Sequence, residues 1–155
     1  MNRPEAVECL ICREHDGRVS IPGGHLIANE HVVAFHCPPM PKALEPYLGH
    51  LFVTSRRHVP SFAELVPEEA AAMGIAISKL SAVLKAEGAE PVYIAGIGHG
   101  WPHLHIHLLP RWPETPAEIS WINVGEWEGA RRGDAEVVSE WTIRLRNRLE
   151  SLDVN

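Results

Sequence analysis

Between Gly98 and Arg111 the chain reads GHGWPHLHIHLLPR, with His103, His105 and His107 at every second position and Leu104, Ile106 and Leu108 between them. A period of two marks an extended strand whose two faces differ. It admits few folds: one face must be covered by a core, and the other needs a use for imidazoles about 6.6 Å apart. Further histidines, His50 and His58, lie on or beside another strand-like segment, HLFVTSR. An idle row of solvated histidines is the alternative, and the strict spacing with these extra histidines weighs against it. Rows of imidazole serve either as metal ligands or as a nucleophile with proton-handling neighbours. One catalytic ion held by all three is excluded. Three same-face positions of a straight strand span about 13 Å, whereas ligands sit about 2 Å from a metal.

The rest of the chain supplies neighbours for that strand. Gly24 to Asn29 and Val32 to Cys37 read as two short strands joined by a turn at NEH, and His50 to Arg56 as a third. PVYIAGI and HLHIHLLPR are separated by the Gly-rich GHGWP, too short for a parallel crossover, so they pair as an antiparallel hairpin. VPEEAAAMGIAISKLSAVLKAEG predicts a helix with Pro67 in its first turn, Glu68 and Glu69 at its positive end, and Gly88 as its stop. Met73, Ile77, Leu80 and Leu84 form its buried stripe. DAEVVSEWTIRLRNRLESL predicts a terminal helix capped by Asp134, with Val138, Trp141, Leu145, Leu149 and Leu152 facing inward. CPPMPKALEPY is a Pro-rich loop, and WPETPAEISWINVGEWEGARRG carries no assignable pattern. The predicted class is α+β: an antiparallel sheet of about five strands with two main helices on one side.

At 155 residues the chain suits one domain, and its apolar fraction of 45% is ordinary for a globular protein. A net charge of -6 disfavours a duplex-binding surface. RLRNR, flanked by acidic residues, reads as a solvated helix face, so no nucleic-acid partner is expected. The N-terminus has no apolar signal core and no window is long and apolar enough for a bilayer span. A cytoplasmic protein without a membrane partner is the expectation, and three cysteines do not suit a secreted disulfide framework. Cys9-x-x-Cys12 is open to three readings: half of a structural zinc site completed by two imidazoles, a redox pair, or two unrelated reduced thiols. The zinc reading is favoured, because a redox motif of this kind opens a helix after a buried strand and this one precedes any such unit.

HLHIHLL fits the His-φ-His-φ-His-φ-φ pattern (φ apolar) of the histidine triad superfamily of nucleotide hydrolases and transferases, and the chain resembles that superfamily further. CLIC, NEHVVAF, GHLFVTSRRHVPSFAELVPEE and the closing PR occur in the family's order, from about residue 9 to 111. The resemblance implies one domain over 1–155, with a core region at 8–111 and a variable C-terminal extension at 112–155. It implies that His105 is the nucleophile that attacks the α-phosphorus of a nucleoside phosphate ester, anhydride or phosphoramidate. His107 then contacts the phosphate and passes a proton to the leaving group, and His50 is the fourth histidine beside the site. In the zinc-bearing branch of the superfamily the first triad histidine is a metal ligand. The matching set here is Cys9, Cys12, His58 and His103, holding a structural zinc. A homodimer paired through the sheet edge and the long helix is also implied.

Some positions depart from the family pattern. Where relatives carry Gln followed by Ser or Thr against the phosphate, this chain has His99 and Gly100. Where relatives place a ribose-binding acid or amide after a segment like AFH, it has Cys37, whose thiol cannot accept paired hydroxyl hydrogen bonds as a carboxylate does. Phe35, Cys37, His99, Gly100 and Trp101 are the substrate-binding candidates by position, with Trp101 and Trp112 able either to stack on a base or to pack. PPMPKALEPYL, an insertion where relatives turn tightly, is placed to rim the pocket. The implied activity is a nucleotidyl hydrolase acting on dinucleoside polyphosphates or nucleoside phosphoramidates. A transferase or phosphorylase with the same intermediate, and a non-catalytic nucleotide-binding protein, are the alternatives.

Overall fold

The computed structural model describes residues 8–153; residues 1–7, on which the absence of a signal core was partly read, lie outside the described residues. Five strands, β1 (Ile27–Ala28), β2 (Val32–His36), β3 (Leu51–Ser55), β4 (Val92–Ala95) and β5 (His105–Pro110), form one sheet in the order β1-β2-β3-β5-β4. Every neighbouring pair is antiparallel, including the β4–β5 hairpin expected from its short link. Three helices accompany it: α1 (Leu10–His15), α2 (Pro67–Ala86) and α3 (Ala135–Asp153). The class is α+β, as the sequence pattern predicts. No helix among the described residues is long and apolar enough to cross a membrane.

Register assigns the two faces. Ala34, Val53 and Ile106 stand opposite one another along β2, β3 and β5 and are buried beneath α2, which contributes Met73, Ala76, Leu80, Val83 and Leu84. Leu145 and Leu149 of α3 close the same core. Truncating a fully buried leucine such as Leu80 to Ala in such a layer costs about 2–5 kcal/mol. The opposite face carries two cross-strand rows, Phe35–Phe52–His107 and Val33–Thr54–His105. The alternation in the triad strand is thus a true strand period, with the leucines and isoleucine inside.

Three expectations are corrected, and one open reading is decided. β5 begins at His105 and not at His103. The amide of Leu104 donates to Val59 O (2.6 Å) and its carbonyl accepts from Ser55 N (3.2 Å), so the chain is already paired locally before the ladder starts. α1 was not anticipated: six residues, LICREH, hold too little periodic pattern to announce a helix. Cys9 is its N-cap, so the cysteine pair does open a helix, although no buried strand precedes it among the described residues. Leu152 is exposed, so the inward stripe of α3 ends at Leu149. Of the two readings of Trp112, packing is the one found: it is 1% exposed, donates from Nε1 to Leu48 O (3.1 Å), and lies under the Arg131 guanidinium. Asp134 caps α3 as expected, accepting from the amides of Glu136 (3.0 Å) and Val137 (3.1 Å).

Candidate functional site

The first cluster gathers four residues from three segments. Cys9 at the N-cap of α1, Cys12 inside it, His58 after β3 and His103 before β5 offer ligand atoms that all lie within 4.8 Å of one another. Cys12 Sγ is 3.3 Å from His58 Nδ1 and 3.4 Å from His103 Nδ1, and Cys9 Sγ is 3.5 Å from His103 Nδ1. Ligands about 2.0–2.3 Å from a tetrahedral zinc stand about 3.3–3.8 Å apart, so the set fits that ion with little movement. His103 donates from Nε2 to Ser55 O (2.7 Å), which leaves Nδ1 as the ligand nitrogen. Burial first, and then the Cys9 sulfur, push the Cys12 thiol up to about 12. A divalent cation must therefore displace thiol protons as it binds. The loop carrying His58 is anchored by Arg57, whose guanidinium forks onto Glu69 of α2 at 2.9 and 2.7 Å.

The second cluster begins two residues later. His105 is buried and donates from Nδ1 to the carbonyl of His103 (2.6 Å), so Nε2 carries the free lone pair. His107, on the same face, contacts His50: His107 Nδ1 and His50 Nε2 are 2.9 Å apart and the rings stack at 5.2 Å. Burial, followed by the neighbouring His105, lowers His107 to about 4. Burial, then His107, His36 and His105, lowers His50 to about 3. Near neutral pH both rings are uncharged, and their mutual hydrogen bond uses one proton. Phe52 sits among the three histidines, with ring centroids 5.9 Å from His105, 4.9 Å from His107 and 4.9 Å from His50. His50 is aimed by Gly49, which has a φ of +90° and lies so close to Pro110 and Trp112 that a Cβ would approach both to 2.8 Å.

Two hollows flank these histidines. A cavity of about 50 Å³ is walled by His105, Phe35, Phe52, Thr54, Trp101 and Glu14, together with Pro38 and Met40 from the Pro-rich insertion. A broader open groove runs past His50, His107, Cys37 and the remainder of that insertion. The structure therefore brings Phe35 and Trp101 to His105, and places Cys37 with His50 and His107. His99 and Gly100 are exposed in the loop before the triad and line neither hollow. The Cys37 thiol is buried 3.7 Å from Pro38 O, and burial followed by the charge of Glu14 pushes it up to about 12.

Three site residues escaped sequence reasoning. Phe52 falls opposite His107 in the ladder, which register alone would have exposed. His36 has no exposure, donates from Nδ1 to Cys37 O (2.9 Å), and accepts at Nε2 from the Gly49 amide (2.9 Å). It props the turn that presents His50. Glu14 is 5% exposed, and burial raises its carboxyl to about 7. Nothing in LICREH signals that its acid faces a cavity.

Comparison with known proteins agrees with this geometry. The HIT domain model matches residues 19–114. Among curated proteins the comparison finds no match. Among solved structures, a zinc-bound histidine triad family protein from Mycobacterium smegmatis superposes with a TM-score of 0.71 at 19% identity, covering 97% of this chain and 99% of that one. A hypothetical histidine triad nucleotide-binding protein from Sulfolobus tokodaii gives 0.71 at 18% identity, covering 94% of each chain. A histidine triad protein from Bradyrhizobium japonicum gives 0.60 at 21% identity, covering 81% of this chain and 89% of that one. At these identities the structures speak for the fold. The family model covers more than half of the sequence, including the whole triad, and so this chain belongs to the HIT domain family.

Proposed function

We propose that the protein is a nucleotidyl hydrolase that cleaves dinucleoside polyphosphates or nucleoside phosphoramidates at the α-phosphate, through a covalent nucleotidyl-histidine on His105. The observation that carries this reading is the hydrogen bond from His105 Nδ1 to His103 O (2.6 Å), which leaves Nε2 as a nucleophile in a wall of the cavity. Attack forms the Nε2–P bond and breaks the P–O or P–N bond to the leaving group. The ring becomes cationic, and its Nδ1–H then makes a charge-assisted bond to the same carbonyl. With phosphate bound, His107 acts as imidazolium: its Nδ1–H rests on His50 Nε2, its Nε2 proton goes to the leaving group, and the neutral ring then takes a proton from the attacking water. Water then attacks phosphorus, the P–Nε2 bond breaks, and a nucleoside monophosphate leaves. The negative charge of an incoming phosphate favours protonation of His50 and His107, against the burial that lowers both.

Cys9, Cys12, His58 and His103 would hold a zinc ion. With every position filled by protein, that ion supplies structural cross-linking and no activated water. The donor set and its spacing support this, as does the zinc in the Mycobacterium smegmatis protein. We further propose a homodimer through the free edge of β4, supported by the exposed Ile94, Ile97, Trp121 and Ile122 beside it. Light scattering after size exclusion tests it, a monomer at micromolar concentration being the opposing result.

The deciding experiment follows release of AMP and GMP from a panel of dinucleoside polyphosphates and nucleoside phosphoramidates, with wild type beside His105→Ala. Turnover that falls roughly a thousand-fold or more in the variant supports a covalent nucleophile. Turnover indifferent to His105 would reject it. Products carrying added phosphate in place of water would assign the same intermediate to a phosphorylase.

A further inference from the structure

Cys9 and Cys12 are the members of the four-residue cluster that share one segment, and they are the members that can be oxidised. As N-cap and third residue of α1, their Cα atoms stand about 5 Å apart by helix geometry, inside the span that a disulfide bridges. Their sulfurs lie within 4.8 Å of each other. Cys9 is fully buried and Cys12 half-buried, so an oxidant in solution meets Cys12 first. Cys37 stands outside the cluster, its thiol buried on Pro38 O.

What the cluster joins decides what oxidation does. Of the six residues of α1 only Ile11 and Glu14 are buried, and His15 adds one hydrogen bond to Thr54 (2.7 Å). The four-ligand set ties this short helix to His58 and His103, 46 and 91 residues along the chain from Cys12. A Cys9–Cys12 disulfide would close a loop inside one turn of helix and tie α1 to nothing beyond itself, so it restores none of that long-range constraint. The same helix supplies Leu10, Ile11 and Glu14 to the cavity beside His105, and the carbonyl of His103 holds the His105 ring.

We propose that Cys9 and Cys12 form a peroxide-sensitive switch, in which their oxidation to a disulfide frees the ion held by the cluster and slackens the cavity wall. The inference rests on the zinc reading above, and on the nucleotidyl reading only for its effect on turnover. The Cys12 sulfur attacks one oxygen of hydrogen peroxide; the O–O bond breaks, leaving a sulfenic acid on Cys12 and releasing one water. The Cys9 sulfur then attacks the Cys12 sulfur, the S–O bond breaks, and a second water leaves. Two electrons pass from the sulfurs to the peroxide, and where the sulfurs are thiolates the two protons come from solvent. A disulfide sulfur is a neutral, poor ligand, so oxidation leaves two imidazoles, too few to retain a divalent ion. A dithiol reductant returns both thiols and, with zinc, the cross-link.

The test treats the zinc-loaded full chain, wild type and Cys37→Ser, with excess hydrogen peroxide. Zinc release is followed with a chromogenic chelator, thiols are counted, the disulfide is located by peptide mass, and Tm is recorded. Both proteins are expected to release one zinc per chain as two thiols disappear into a Cys9–Cys12 disulfide. Tm should fall by about 10 °C, as far as chelation takes it, and dithiothreitol with zinc should reverse every change. Zinc and both thiols retained in peroxide overturn the inference. Release through sulfinic acid, without a disulfide and without recovery, also overturns it, since that is damage and not a switch. A disulfide formed with Tm unchanged removes the link between the cysteines and the wall. A chain that takes up no zinc rejects the metal reading and the inference with it. Absence of His105-dependent turnover rejects the nucleotidyl reading alone, and the zinc, thiol and thermal readouts still decide the switch.

Discussion

His103 and His105 carry the same side chain two residues apart, and both are buried, yet their free nitrogens are different atoms pointing at different partners. His103 places its Nε2–H on Ser55 O and turns Nδ1 toward two thiols. His105 places its Nδ1–H on His103 O and keeps Nε2 for the cavity. In each case a backbone carbonyl selects the tautomer, and the tautomer selects the chemistry. The difference in carbonyl follows from where the strand begins: His103 stands outside the ladder and reaches β3, whereas His105 starts the ladder and reaches back along its own chain. The candidate metal cluster and the proposed nucleophile are thus joined by a single residue, since the backbone of one histidine orients the ring of the other.

The comparison is broken most severely by exchanging each ring for an amide. His105→Asn should lower turnover roughly a thousand-fold or more while leaving metal content and thermal midpoint near the wild-type values. His103→Asn should remove the metal and the stability together, and lower turnover only as a consequence. Metal analysis and thermal melts on both variants, beside steady-state rates, separate the two roles. Equal metal loss in both would show that the two histidines form one site.

Removing the ion probes the same link from the other side. Chelation, or Cys12→Ala, should lower stability by a few kcal/mol, about 10 °C in Tm for a chain of this size. α1 carries Cys12 and Glu14, and the segment before β5 carries His103, so both walls of the cavity loosen together. A chelated protein with unchanged Tm would remove the structural role from this cluster.

A third buried histidine sharpens the contrast, because His36 has neither nitrogen left over. Burial lowers its pKa from 6.5 to about 4, against which the hydrogen bond to Cys37 O acts only partly. The unfolded chain takes up this proton first as pH falls below 6.5, so its contribution to stability is full above that pH. It is lost progressively down to about pH 4, where it has given up about 3 kcal/mol. His36→Leu leaves the Gly49 amide and the Cys37 carbonyl unpaired and should cost about 2–4 kcal/mol at pH 7.5. With both proteins in chelator, the gap between them should narrow toward pH 4. Denaturant melts across that range check it, and a gap independent of pH would mean that His36 titrates in the fold as it does in the unfolded chain.

Much of this was legible in the chain. The alternation of HLHIHLL and the stripe of Met73, Leu80 and Leu84 gave the two buried faces, because burial imposes a period on sequence. The cluster of Cys9, Cys12, His58 and His103 was readable once Cys9-x-x-Cys12 was joined to the family pattern. Glu14 and His36 were not, since their importance lies in a tertiary environment: an acid on a six-residue helix is turned into a hollow, and a strand-end histidine happens to meet the amide of Gly49. Leu152 and Trp112 show the same limit in reverse, one helically spaced yet exposed, the other beside the triad yet in the core.

The smallest expected effect concerns His50, which in the proposed reaction acts only through His107. Its Nε2 lies 2.9 Å from His107 Nδ1, and its ring also packs 4.9 Å from Phe52. If the hydrogen bond matters, it holds the Nδ1–H of the His107 imidazolium, whose other proton faces the phosphate, and an amide that keeps a polar atom near that position retains most of the effect. His50→Gln should then lower kcat about three-fold and His50→Ala about ten- to thirty-fold, with KM little changed, because the lost interaction serves the leaving-group step. If His50 serves only as a packing ring, both variants lose the same small factor and the loss appears in Tm. Equal kcat values for Gln and Ala would therefore assign His50 to the wall of the groove and leave His107 as an acid without a partner.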